Sequence, residues 1–279
     1  MAAKKANDLK VKKHLKAVQA KVNERVDMKQ VVLAAKALKA FAKKQAESLA
    51  EKSLLTDEDQ TVSLTFTMTR VATNPSPKPQ MIKIEHPFLN EAQRSRVCVI
   101  VKDPARAFKD QIQSLQIPCI AKVIGFDKLK RNFKQYKDKR QLLKDYDAFL
   151  ADLRVYKMLP ELMGKEFYDR KKYPCPVKLH GFDSSAALEA QLNSAAASTF
   201  FQLGNGPNYS VKVGKTFQNE KQIAQNALQA FSQALTFATV HDAIDFDAVC
   251  QVTLKVGSSP ELPIYNHFDE ADLAASLLK

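Results

Sequence analysis

In the segment TVSLTFTMTR, residues 61–70, Val62, Leu64, Phe66 and Met68 alternate with Thr61, Ser63, Thr65, Thr67 and Thr69. That is the period of a half-buried β-strand, with one face turned to a core and the other presenting a row of hydrogen-bonding groups. The proline-rich ATNPSPKPQ (72–80) reads as a connector and MIKIEH (81–86) as the returning strand. Upstream, Val31, Ala35, Leu38, Phe41, Gln45 and Leu49 recur at helical spacing, which predicts a helix over 28–52. Residues 1–27 carry too little apolar surface to order themselves and read as a basic tail, mobile without a partner.

The texture changes near residue 92. RVCVIVKD (96–103) has little alternation, as a strand covered on both faces should. Asp103 and Pro104 then cap a helix carrying Phe108, Ile112 and Leu115. IPCIAKVIG is a second buried strand, DAFLAD a third, and LRVYKMLPELMG a helix that stops at Gly164. Strands alternating with helices imply a small parallel, Rossmann-like sheet. Ser184 or Ser185 caps a helix to about residue 198. Beyond it, TFFQLGNGPNYSVKVG predicts two strands joined across Gly204-Asn205-Gly206 as a hairpin. EKQIAQNALQAFSQALTFA is an amphipathic helix and AVCQVTLKV (248–256) a last alternating strand. The fold class is therefore α/β: an α+β split domain, residues 28–91 and 184–279, with a three-layer Rossmann-like α/β domain inserted at 92–183.

Charge narrows the function. The net charge is +13 over 279 residues, and it is segregated. Residues 1–52 balance at +9, residues 128–144 (KLKRNFKQYKDKRQLLK) at +7, and residues 220–279 at −5. A segregated basic field attracts polyanions. Within 128–144 the cations Lys128, Lys130, Arg131, Lys134, Lys137, Lys139 and Arg140 interleave with Phe133 and Tyr136, which anchor the segment to the sheet. A second cluster, Arg170, Lys171 and Lys172, precedes Pro174 and Pro176. Lysine and arginine neutralising phosphates supply most sequence-independent affinity for nucleic acid. The hydroxyl row on Thr65 and Thr67 adds groups that can meet phosphates or ribose hydroxyls.

Other chemistry is weakly signalled. VGK at 213–215 lacks the glycine and Ser/Thr of a phosphate loop, and the turns KDPAR and ADLRV have no glycine to let a dinucleotide approach. The five histidines are dispersed. Asp147 and Asp152 bracket one strand and point to opposite faces, so they cannot act as an acid/base pair; Asp152 reads as a cap for the next helix. Cys98, Cys119, Cys175 and Cys250 are scattered without metal-ligand spacing, as reduced thiols of the cytosol or nucleus. No apolar run is long enough to span a bilayer, and the N-terminus has no signal-peptide core. No cofactor, metal, membrane or small-molecule substrate is expected.

The stretch YDAFLADLRVYKMLPELMGKEFYDRKKYPCPVKL resembles a signature of the ribosomal protein L-one superfamily, the large-subunit stalk proteins, and more closely its eukaryotic nucleolar branch, which serves ribosome biogenesis. TVSLTFTMTRV with IKIEHPF, VCVIVKDP, YSVKVGK, IAQNALQAF and LPIY match in order over roughly residues 30–268. The resemblance implies a split domain with a Rossmann-like insert and non-enzymatic RNA binding, chiefly by the split domain. Thr61 matches the threonine of the family's contact segment, and Thr61, Ser63, Thr65, Lys255, Ser258 and Ser259 are expected to form the split-domain contact surface. Glu58 stands where the family has an aromatic residue, and Gly257, Ser258 and Ser259 where it has Thr-Met-Gly, which points away from the standard grip on the stalk helix. The reading is an RNA-binding assembly factor in the nucleolus, its partners pre-rRNA and proteins of pre-ribosomal particles, the small-subunit processome favoured over an early large-subunit precursor. The alternatives are a mature large-subunit stalk protein and, in another class, a nucleotide-dependent enzyme using the Rossmann-like domain.

Overall fold

The computed structural model describes residues 2–50, 60–89, 96–117, 119–181, 185–242 and 244–267. The chain divides into two compact units. The first comprises residues 1–77, 82–88 and 199–279, and the second residues 78–81 and 89–198. Helix 185–196 thus falls with the insert, so the second crossing lies near residue 198 rather than at the 183/184 position read from the sequence.

The first unit is built on an antiparallel sheet. Strands β1 (Thr61–Met68), β8 (Asn208–Lys215), β9 (Val249–Val256) and β10 (Leu262–Asn266) lie in the order β10-β9-β1-β8. Along β1 the even positions are buried and the odd ones half-buried, as the alternation requires. Phe66 is fully buried, its ring 5.4–5.9 Å from those of Phe201, Tyr209 and Phe231, within the range of favourable edge and tilted aromatic pairs. Helix α2 (Met28–Ala50) and helix α9 (Glu220–Asp242) bring Val31, Ala227 and Phe231 beside Leu64, Val252 and Ile264. The apolar side of the sheet is thus covered by helices.

Residues 2–25 are not a tail. They form helix α1, whose Val18 and Val22, with Val26 beyond its end, are buried. That stripe repeats every four residues, sparse enough to look hydrophilic by composition yet continuous on a helix. Arg25 anchors the end, 2.9 Å from Asp247 with its guanidinium 5.2 Å from the Phe246 ring centre.

The expected return strand also shifts. Strand β2 is Ser76–Lys83, beginning inside the proline-rich stretch, and it pairs with β7 (Ser198–Leu203) in a two-stranded ribbon. Prolines are tolerated in such a ribbon because half of its backbone N–H groups need no ladder partner. Residues 203 and 208 therefore do not close a hairpin ladder; β7 belongs to the ribbon and β8 to the main sheet. From the last residue of β2 onward, the backbone at 83–86 is held by amide side chains of α9, and the strand does not continue to residue 86. Asn226 accepts from the His86 N–H at 3.0 Å and donates to the His86 and Val213 carbonyls at 2.7 and 3.0 Å. Gln229 accepts from Glu85 N–H, and Gln233 both accepts from and donates to Lys83.

The second unit carries parallel strands β3 (Val97–Val101), β4 (Ile120–Gly125), β5 (Ala148–Asp152) and β6 (Cys175–Val177) in the order β4-β3-β5-β6. β3 is buried throughout, whereas β4 lies at the sheet's edge and exposes Ala121 and Lys122, so only its C-terminal end is a buried strand. Helices α3 (Ala105–Ser114), α4 (Phe126–Asn132), α5 (Tyr136–Asp145), α6 (Leu159–Met163), α7 (Lys165–Asp169) and α8 (Ser185–Ala196) complete it. Asp103 does not cap α3; its Oδ2 accepts the Asp127 N–H at 2.7 Å. Gly164 ends α6 with φ +79, the left-handed conformation that favours glycine.

Candidate nucleic-acid interface

The outward face of the first unit's sheet is polar, and its register fixes which groups meet. Ser63 on β1 is paired with Lys212 on β8 and with Lys255 on β9. Thr65 lies between Ser210 and Thr253, Thr67 between Asn208 and Gln251, and Thr61 opposite Lys215. With neighbouring strands about 4.8 Å apart, the Ser63 row sets a hydroxyl between two ammonium groups, and the Thr65 and Thr67 rows continue the face with hydroxyls and amides. Ser63, Thr65, Lys212 and Lys255 are half-buried, while Thr253 is buried. Of this face, Thr61, Ser63, Thr65 and Lys255 are named from the sequence, and Lys212, Lys215 and Ser210 join them through the register. For Ser210 and Lys212 the signal was their alternation with Tyr209, Val211 and Val213 in β8, whereas the register shift opposite Val62 and Ser63 takes Lys215 out of that period.

Glu261 enters this face. Its carboxylate accepts from Lys255 Nζ and from Thr253 Oγ1, both at 3.2 Å. Beside it, the turn after β9 separates two serines. Ser258 is exposed and accepts from Gln45 Nε2 at 2.9 Å. Ser259 is buried, its hydroxyl accepting the Val256 N–H and donating to the Pro260 carbonyl. Ser259 therefore shapes the turn instead of offering a contact. Gly257 at φ +52 begins that turn, with Gln60 Oε1 only 2.9 Å from where a Cβ would stand. Glu58 lies outside the described residues.

In the second unit, α4 and α5 bury Leu129, Leu142 and Leu143 in the core, with Phe133 partly buried against it. Lys128, Lys130, Arg131, Lys134 and Lys137 are exposed. Tyr136 does not anchor the segment; it is 70% exposed, with Lys139 Nζ 5.7 Å from its ring centre. Arg140 pairs with Glu166 at 3.0 Å.

The second basic cluster is a helix end. Lys172 N–H bonds the Phe167 carbonyl and Lys171 N–H the Tyr168 carbonyl, with Lys171 at φ +51, the hydrogen-bond pattern that closes a helix in a left-handed residue. Lys172 Nζ donates to the carbonyls of Leu143 and Tyr146 at 3.1 Å each, satisfying the C-terminal end of α5. Of the three, Arg170 and Lys171 present exposed side chains, and Lys172 is committed to the fold.

The remaining reactive groups are engaged structurally. Asp147 accepts the Arg96 N–H, and Asp152, fully buried, accepts the Arg154 N–H and its guanidinium. Burial pushes the Cys98 thiol up to about 12, where it carries little thiolate. Among the described residues no group of three His, Cys, Asp or Glu could hold a metal ion, and no helix is long and apolar enough to cross a membrane.

Comparison with known proteins agrees with this architecture. The model of the ribosomal protein L1p/L10e family matches residues 38–260. A Schizosaccharomyces pombe protein named as a ribosome biogenesis protein is 30% identical over 247 residues, 85% of this chain and 64% of that protein. The Mus musculus Ribosomal L1 domain-containing protein 1 is 28% identical over 195 residues, 67% of this chain and 41% of its own length. Saccharomyces cerevisiae Ribosome biogenesis protein UTP30 is 27% identical over 258 residues, 86% of this chain and 91% of its own. The chain thus spans less than two thirds of the fission-yeast and mouse relatives. With the family match covering most of its length, the chain belongs to the ribosomal protein L1p/L10e family.

Proposed function

We propose that the chain is a non-enzymatic RNA-binding factor of ribosome biogenesis, acting on nucleolar pre-ribosomal particles, with the small-subunit processome favoured. The row Lys212–Ser63–Lys255 carries the reading: two ammonium groups flank a hydroxyl on a sheet face opposite the helices. Such a row suits phosphates and ribose hydroxyls, which RNA, unlike DNA, offers together along a chain. The exposed cations of α4 and α5 add a sequence-independent field. Relatives named for ribosome biogenesis support the cellular process. Glu261 on the sheet face and Arg140 paired with Glu166 favour a moderated affinity, as suits a factor that must leave its particle.

Crosslinking and sequencing of the tagged protein tests this. Recovery of pre-rRNA supports it, and crosslinks confined to mRNA, or to no RNA, overturn it. Co-sedimentation with translating ribosomes would instead mark a mature stalk protein. Saturable binding of a nucleotide by the purified chain would favour the enzyme.

A further inference from the structure

We infer that the carboxyl-terminal edge of the second unit's parallel sheet is a separate RNA-phosphate contact, centred on Arg154. The inference rests on the RNA-binding reading above and, Lys128 apart, names residues outside the basic segments that suggested it.

The register places Val101 beside Gly125, Ile100 beside Ala151, and Asp152 beside Val177. The strands therefore end in one row, and the residues just beyond it, Lys102, Arg154 and Lys178, emerge along one rim. Arg106 follows from the start of α3 and Lys128 from the start of α4. These five side chains are exposed. In the strand order β4-β3-β5-β6, the chain leaves β3 first to one side and later to the other. The edge between β3 and β5 is the switch point at which open α/β sheets bind ligands.

Arg154 is held in place before any ligand arrives. Its backbone N–H donates to Asp152 Oδ1 at 3.1 Å, and its Nε and Nη2 to Oδ2 at 2.9 and 2.6 Å. The guanidinium carbon sits 5.5 Å from the Phe108 ring centre. His180 Nδ1 is 3.6 Å from the other side of the same carboxylate. Asp152 is fully buried, while the Arg154 side chain is 32% exposed. A buried carboxylate thus spends its charge orienting an arginine whose remaining surface faces outward. A guanidinium with its plane fixed loses little freedom on meeting a phosphate.

Asp103 and Asp127 share the edge, but Asp103 is committed to the Asp127 N–H. Asp127 is exposed beside the five cations, and Asp110 is exposed one helical turn after Arg106, so the cations outnumber the exposed acids. A dinucleotide fits this edge poorly, because the turns Lys102-Asp103-Pro104 and Leu153-Arg154-Val155 contain no glycine for close backbone approach. A polymer met by side chains needs no such approach.

Fluorescence anisotropy of the full chain with a labelled single-stranded RNA of about 16 nucleotides tests the inference. The double variant Lys102→Gln/Arg106→Gln, whose side chains lie outside the core, should raise Kd about tenfold and flatten the log Kd against log salt slope by about 1.5. Arg154→Lys keeps the charge but loses the fork to Asp152, and should weaken binding severalfold with its urea midpoint recorded as a fold control. Unchanged Kd and slope in the double variant, with the wild type binding, overturn the edge contact and leave the functional reading standing. A wild type that binds no RNA overturns both.

Discussion

Glu261 Oε1 lies 3.2 Å from Lys255 Nζ on the polar face of the first unit's sheet. Both side chains are partly exposed, so the pair itself adds little stability, but the carboxylate competes with any phosphate for that ammonium. Glu261→Gln should therefore tighten binding of a short RNA about threefold and steepen its salt dependence, while changing stability by less than about 0.5 kcal/mol. Weaker binding in the variant would contradict a competing role for the carboxylate.

Lys172 belongs to the fold rather than to the ligand. Its ammonium serves the Leu143 and Tyr146 carbonyls at the end of α5. Lys172→Met should cost about 1–2 kcal/mol in urea denaturation, with RNA affinity changed no more than the loss of one distant charge explains. Lys137→Met, on an exposed side chain of the same helix, should give the reverse: intact stability and weaker binding.

Asn226 is fully buried and serves three backbone groups at once. Asn226→Ala removes the partner of the His86 N–H and of the buried Val213 carbonyl, and leaves the His86 carbonyl to Gln218 Nε2 at 3.1 Å. A loss of about 2–4 kcal/mol is expected, with faster amide hydrogen exchange at residues 84–86. Unchanged exchange there would mean that the extended segment does not depend on α9.

Asp242 provides an acid-dependent link. The Thr73 hydroxyl and N–H donate to its carboxylate and hold its pKa below the ordinary carboxylate value. A depressed folded pKa means that the contribution is present above the unfolded value, about 3.9, and is lost as pH falls through the lowered folded one. The difference in urea midpoint between wild type and Asp242→Asn should thus be constant near neutrality and shrink below about pH 4. A difference that persists undiminished into that acid range would contradict the linkage.

Much of the fold was legible because its signals are local. The alternation around Phe66 fixes which side of β1 is core, and the uniform apolar run at 97–101 marks a strand buried on both faces. What escaped was set by partners distant in sequence. Val18, Val22 and Val26 matter only because they are buried in the folded first unit. The strand at 76–83 pairs across more than a hundred residues with β7. The site divides the same way. Lys212 could have been read from alternation in β8, whereas nothing local distinguishes Lys172, bound to carbonyls of another helix, from Arg170 two residues earlier. Ser258 and Ser259 are neighbours with the same hydroxyl, and only the turn geometry commits Ser259 inward.

On the reading proposed here, the sheet face around Ser63 grips RNA by neutralising phosphates. The most direct measurement is the affinity of the full chain for a short RNA as a function of salt, wild type against Lys212→Gln/Lys215→Gln/Lys255→Gln. Removing three phosphate contacts should make the log–log slope shallower by about 2 and weaken binding at about 0.1 M salt by tenfold or more. A variant with the wild-type slope and affinity would contradict the account.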